Sequence, residues 1–223
     1  LGVAPARLWG GATARIILSD PALDPSSAAP ALRSFLWAGS TEQGAPPEPG
    51  EERPLVLVSL SATDWPGMLP VYRRIVAALT ALPVEAVVTT GDVDLGGELR
   101  GSPNVTVTGW LDHTRVLPRA SLLVGHGGHS TTLKALAHGV PVLTLPINPI
   151  SDQRLIGTVI ERHGLGATLP KRASTARLRS TISALLADPD SRERAARAGE
   201  RLRGSARGAE RAAAWVAALA RRA

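Results

Sequence analysis

Cysteine is absent from all 223 residues, which excludes disulfide frameworks, cysteine zinc sites, iron–sulfur clusters and thiol nucleophiles together. Aromatic residues are scarce: beyond five Trp there are only Tyr72 and Phe35, too few for the stacking platforms that bind single-stranded nucleic acid. No apolar run approaches the roughly 18 residues that a membrane span needs. Met68 is the only methionine, and the chain opens at Leu1 with no basic stretch leading into an apolar one. It reads as a piece of a longer protein.

What is present suits a folded domain. Hydrophobic residues make up 44% and charged residues 20%, enough apolar material for one large core with a smaller appendage. The formal net charge of +6 invites a nucleic-acid reading, but its distribution argues against one. Residues 188–223 carry nine Arg against five Asp and Glu, a surplus of four that leaves the rest nearly neutral, with no basic stripe for a phosphate backbone to follow. Glu193 and Arg197, four apart, read as local partners on a solvated helix face.

Two textures divide the chain. Residues 1–52 hold two short apolar runs, Ile16–Leu18 and Phe35–Ala38, followed by a Pro/Gly/Glu-rich stretch, Thr41–Arg53, that reads as a linker. From Pro54 onward, short aliphatic and β-branched runs alternate with one-sided helical stripes. The expected strands are Leu55–Leu60, Val84–Thr90, Val105–Thr108, Leu122–Val124 and Val142–Leu145. Val71, Ile75, Ala78, Leu79 and Leu82 mark one helix, Leu133, Leu136, Ala137 and Val140 a second, and Leu178, Ile182, Leu185 and Leu186 a third. Asp188 and Pro189 form a cap and first position for a final helix, which Gly199, Gly204 and Gly208 are expected to interrupt. The pattern predicts an α/β fold, a doubly wound parallel sheet.

The stretch 121–146 carries the chemistry. A strand runs into Gly125-His126-Gly127-Gly128, a helix begins near Ser130 and Thr131, and Gly139 closes it before Pro141. Glycines admit a ligand close to the backbone, and the positive end of a helix favours phosphate. In a sheet ordered 3-2-1-4-5, this loop faces the hydroxyl-rich loop Ser59–Thr63 across the topological switch point. The spacing does not fit G-x-G-x-x-G, and no Walker A lysine is present. His126 and His129 lie in a glycine loop with no third ligand, so no metal site is expected. Trp110 as a plain core residue, Asp152 as a simple helix cap, Lys134 as a solvated side chain, and His113, His138 and His163 as surface or locally bonded residues are the bland alternatives.

In order along the chain stand Gly109-Trp110-Leu111-Asp112-His113, Val116-Leu117-Pro118, His126 to Leu133, Ala137-His138-Gly139-Val140-Pro141, Leu145-Pro146 and Asp152-Gln153. This series resembles the donor-binding signature of GT-B glycosyltransferases, in particular the actinobacterial enzymes that attach sugars to natural products such as macrolides and enediynes. The resemblance covers residues 54–187 well. It implies that Trp110 and Leu111 meet the nucleobase. It also implies that His126, Gly127, Gly128, Ser130 and Thr131, with Ser59 and Ser61, hold the diphosphate, and that Asp152 and Gln153 meet the sugar.

From the same resemblance follows a division into residues 1–52, the tail of an N-terminal acceptor domain plus linker; 53–187, the donor-binding domain; and 188–223, a C-terminal helix packing back towards the N-terminal domain. The general base is expected on an N-terminal domain outside this chain, so the chain alone is expected to bind donor without turnover. The implied activity is metal-independent, inverting transfer of a sugar from a dTDP- or UDP-linked donor to a small-molecule acceptor. It implies a cytoplasmic enzyme with no cofactor beyond the donor and no nucleic-acid partner, with a homodimer left open. Plant relatives carry Glu at the place of Lys134, where it binds ribose hydroxyls; its replacement tilts the reading towards a dTDP-deoxysugar. An Asn usual three residues after the Asp-Gln pair is Ile156 here. A non-catalytic nucleotide-binding module or partner subunit, a lipid-linked glycosyltransferase and a UDP-sugar epimerase are the alternatives.

Overall fold

In the computed structural model, residues 15–48, 52–93, 95, 97–149, 151–205 and 207–221 are described. The chain divides into two compact units, residues 1–43 with 204–223, and residues 44–203. In the smaller unit, β1 (Ile16–Ile17) pairs in parallel with β2 (Leu36–Trp37), and the Arg15 guanidinium lies over the Phe35 ring, 5.2 Å from its centroid. The same unit contains the helix Gly208–Ala220.

The larger unit is a six-stranded, wholly parallel sheet. Its strands are β3 (Leu55–Ser59), β4 (Glu85–Thr89), β5 (Val105–Thr108), β6 (Ala120–Gly125), β7 (Val142–Thr144) and β8 (Gly166–Thr168). They lie side by side in the order β5-β4-β3-β6-β7-β8. The expected 3-2-1-4-5 arrangement is therefore present, extended by a sixth strand. That strand, Gly-Ala-Thr, has no β-branched run to betray it. Gly166 sits at φ 148, and a Cβ there would stand 1.9 Å from the Val142 carbonyl oxygen, so the edge strand depends on a residue without a side chain. Of the central strand, Val56, Leu57 and Val58 are all buried. A run apolar on both faces fits a sheet covered on both sides.

The helices are α1 (Met68–Thr80), α2 (His129–Ala137), α3 (Gln153–Arg162), α4 (Thr175–Ala187), α5 (Pro189–Gly204) and α6 (Gly208–Ala220). In α1, Val71, Tyr72, Ile75, Ala78 and Leu79 are buried, the stripe read from the sequence. Gly139, at φ 76, ends α2: its N–H bonds the Leu136 carbonyl and the Val140 N–H the Ala135 carbonyl, the two crossed bonds of a Schellman motif. Gly199 does not interrupt α5. It packs against the Leu136 carbonyl, and the interruption falls between Gly204 and Gly208. The pair Glu193–Arg197 forms as expected along α5.

One side chain secures the turn from α1 into β4. The Asn104 amide nitrogen lies 3.0 to 3.2 Å from the carbonyls of Leu79, Leu82 and Val84, satisfying acceptors at a helix end that has no further turn.

The segment 44–48 belongs to the larger unit. The Ala45 N–H donates to His138 Nδ1 at 3.1 Å, and the Glu48 N–H to the Pro118 carbonyl at 2.7 Å. His138 is 2% exposed. Burial, with Arg203 and Lys134 nearby, holds its pKa below the ordinary histidine value, consistent with a neutral ring that accepts at Nδ1.

Candidate functional site

The chain leaves β3 through α1 for β4 on one side and returns from β5 to β6 on the other, which leaves a crevice at the carboxyl ends of β3, β4 and β6. Ser59 and Gly125, each the last residue of its strand, are register partners there. A cleft of about 160 Å³ opens at this point, lined by residues of four segments: 59–62, Thr89 with Gly91, Trp110 and Leu111 with His113, and His126 with Thr131.

Six of the side chains expected from the sequence thus meet in one cavity: Ser59, Ser61, Trp110, Leu111, His126 and Thr131. Trp110 is 73% exposed. An indole standing clear of the core leaves its face open to a ligand, so the reading of Trp110 as a core residue is overturned. Ser61 shapes its loop by accepting the Thr63 N–H at 3.0 Å.

His126 is the centre of the polar wall. Its pKa lies below the ordinary value, chiefly through burial, with Asp152 and the backbone of Ser59 and Leu60 pulling the other way. Its Nδ1 is buried with no hydrogen-bond partner among the described residues. Both facts favour a neutral imidazole at neutral pH. The ring folds over Gly128, where a Cβ would stand 2.6 Å from two ring atoms.

Gly127, at φ 83, is buried, and a Cβ there would stand 2.8 Å from the Gln153 carbonyl oxygen. The loop and the start of α3 therefore approach backbone to backbone. Ser130 is exposed on the first turn of α2. Gly128 caps α2 and, being glycine, offers no side chain to its first-turn amides.

The two residues expected at a sugar differ in disposition. Asp152 is exposed and close enough to His126 to act on it electrostatically; no side-chain bond from it caps α3. Gln153 is 5% exposed. Its Oε1 accepts the N–H groups of Ile147 and Asn148 at 2.8 and 2.9 Å. That oxygen ties the start of α3 to the backbone of Ile147 and Asn148, which leaves the amide nitrogen as the part of Gln153 able to donate elsewhere.

Some cleft residues escape the sequence reading. His113, read as a surface or locally bonded residue, lines the crevice with Nε2 3.4 Å from the Thr89 hydroxyl, and burial lowers its pKa. Thr89 belongs to a strand end, and only the strand order brings it here. Burial is the main cause of the lowered His113 pKa and the Thr114 hydrogen bonds of the lowered Asp112 pKa, with the Lys134 charge adding to each; Lys134 is not among the residues that line the cleft. Among the described residues, no group of three or more potential metal ligands comes together.

The fold and site define a class: a doubly wound α/β domain with a crevice at its switch point. The chain belongs to the family of erythromycin biosynthesis protein CIII-like C-terminal domains, whose model matches residues 73–216. It is 34% identical over 163 residues to demethyllactenocin mycarosyltransferase of Streptomyces fradiae, covering 71% of this chain and 33% of that protein. It is 31% identical over 175 residues to TDP-daunosamine transferase DnrS of Streptomyces peucetius, covering 74% and 40%. The crystal structure of CalG4, the calicheamicin glycosyltransferase, superposes with a TM-score of 0.74 at 25% identity, covering 99% of this chain and 56% of that one. The chain spans 33 to 43% of the length of the first curated relatives it matches. The resemblance to natural-product glycosyltransferases read from the motifs is thereby borne out.

Proposed function

We propose that this chain is the donor-binding portion of an inverting, metal-independent glycosyltransferase that moves a deoxy sugar from a dTDP-linked donor to a small hydroxylated natural product. The observation that carries the reading is the convergence of Trp110, His126, Ser59, Ser61 and Thr131 on one cleft at the switch point.

The chemistry follows from what these groups are. The exposed indole of Trp110 stacks on the thymine, with Leu111 beside it. The diphosphate lies against Ser59, Ser61, His126 and the start of α2, where Gly127, Gly128, Ser130 and Thr131 supply backbone and hydroxyl donors. As the glycosidic bond breaks, negative charge gathers on the departing diphosphate, and donors already aimed there stabilise it without reorganising. A neutral His126 serves as a hydrogen-bond donor in that set. Asp152 and the Gln153 amide nitrogen meet the sugar hydroxyls. The base that deprotonates the acceptor comes from an N-terminal acceptor domain that precedes residue 53 in the whole enzyme, and α5 with α6 packs back towards it.

The family match and the named glycosyltransferase relatives support transfer over epimerisation. For the donor, Lys134, whose charge acts on His113 of the crevice lining, offers no acceptor for a ribose 2′-hydroxyl, and a relative's name specifies a TDP-sugar. The test is a donor swap: Lys134→Glu, titrated calorimetrically with dTDP and UDP. Preference for dTDP in the parent chain, shifted towards UDP in the variant, is expected. Equal affinities in both proteins would overturn the dTDP assignment.

A further inference from the structure

A second, larger cleft of about 580 Å³ lies at the carboxyl ends of β7 and β8, and it shares no lining residue with the crevice. Its size is that of sites for drug-sized molecules. Its floor is apolar: Pro146, Ile147, Pro149, Leu169 and Pro170. Its rim is cationic, with Arg154 from the first turn of α3 and Lys171 and Arg172 from the loop after β8.

That loop is fixed at both its backbone and its side chain. The Lys171 carbonyl accepts from the Arg74 guanidinium at 2.6 Å, and the Lys171 ammonium donates to the Ile147 carbonyl at 3.2 Å across the cleft. The opposite wall is equally held, since Gln153 pins the amides of Ile147 and Asn148. The positive charges are thus brought to one rim by a braced loop and a helix start. The one acid in the lining, Glu161, is engaged by the Thr168 N–H at 3.1 Å, leaving a net surplus of two positive charges among the lining residues.

We propose that this cleft is a second ligand site, separate from the nucleotide crevice, for an apolar molecule bearing one carboxylate. The floor buries the apolar body, and the guanidinium groups of Arg154 and Arg172 match the planar geometry of a carboxylate. Glu161 on the same wall disfavours a dianion and so selects a single negative charge.

The experiment is titration of the isotopically labelled chain with octanoate, octanol and inorganic phosphate, followed through backbone amide shifts, in the parent and in Arg154→Gln/Arg172→Gln. Both arginines are exposed, and an unchanged thermal midpoint verifies that the variant folds. Saturable octanoate shifts at residues 146–149, 154–161 and 168–172 are expected, with affinity falling about tenfold or more in the variant while octanol stays weak in both. Equal binding of octanoate and octanol, phosphate binding as tightly as octanoate, an unaffected variant, or no saturable shift at millimolar ligand overturns the proposal. So do shifts centred on Trp110 and His126, which would move the ligand to the crevice.

Discussion

Ser59 and Gly125 end adjacent parallel strands in register with each other, and the two loops that leave them form the facing walls of the crevice. The chain goes from β3 to one face of the sheet and from β6 into α2, so the gap between them is a product of strand order. The proposed nucleotide site rests on that juxtaposition.

Trp110→Ala separates binding from stability. Because the indole is 73% exposed, its removal leaves the thermal midpoint close to that of the parent. Loss of one base–aromatic stack weakens dTDP binding by about 1–3 kcal/mol. Calorimetric titration alongside thermal unfolding checks both halves. A large drop in stability would return Trp110 to a structural role.

Gly127→Ala places a methyl 2.8 Å from the Gln153 carbonyl at a positive φ. Left-handed strain of about 1–2 kcal/mol for a residue with a Cβ adds to displacement of the α3 start. Denaturant unfolding is expected to show a loss of about 2–3 kcal/mol, with weaker dTDP binding, as Asp152 and His126 move apart.

Asn104→Ala removes a donor shared by three carbonyls. A loss of about 1–3 kcal/mol in denaturant unfolding is expected, the cost of losing a donor from the Leu82 and Val84 carbonyls, while the Leu79 carbonyl keeps the Leu82 N–H. Asn104→Asp is expected to be at least as damaging, since a carboxylate offers these carbonyls no donor.

Acid sensitivity follows from three depressed histidines. Burial lowers the pKa of His113, His126 and His138, so the folded chain binds fewer protons than the unfolded chain just below the ordinary histidine value. The stability is fully present above about pH 6.5 and is lost as pH falls through the depressed values. In His138→Asn, a side-chain oxygen replaces Nδ1 as acceptor for the Ala45 N–H, and no proton is taken up. The thermal midpoint of this variant is expected to fall less between neutral pH and pH about 5 than that of the parent. An identical pH profile would show that His138 does not contribute.

The strands and the glycine loop were legible in the sequence because they follow from local pattern. Aliphatic runs such as Leu55–Ser59 and a helix stopped by Gly139 announce themselves within a dozen residues. What escaped was set by distant contacts. Strand β8 is held by Gly166 against Val142, a relation that no local run encodes. His113 enters the crevice because β4 lies between β3 and β5, which brings Thr89 to it. The resemblance assigns Gln153 to the sugar, whereas in the structure its side-chain oxygen accepts the N–H groups of Ile147 and Asn148, a use that only the folded geometry displays.

The most direct test of the nucleotide site is calorimetric titration of this chain with dTDP in the presence of a metal chelator, set beside His126→Ala. The account predicts saturable one-to-one binding without divalent metal, and a loss of about tenfold or more in the variant as a donor to the diphosphate is removed. Binding that needs added metal, or that is the same with and without the His126 imidazole, would contradict it.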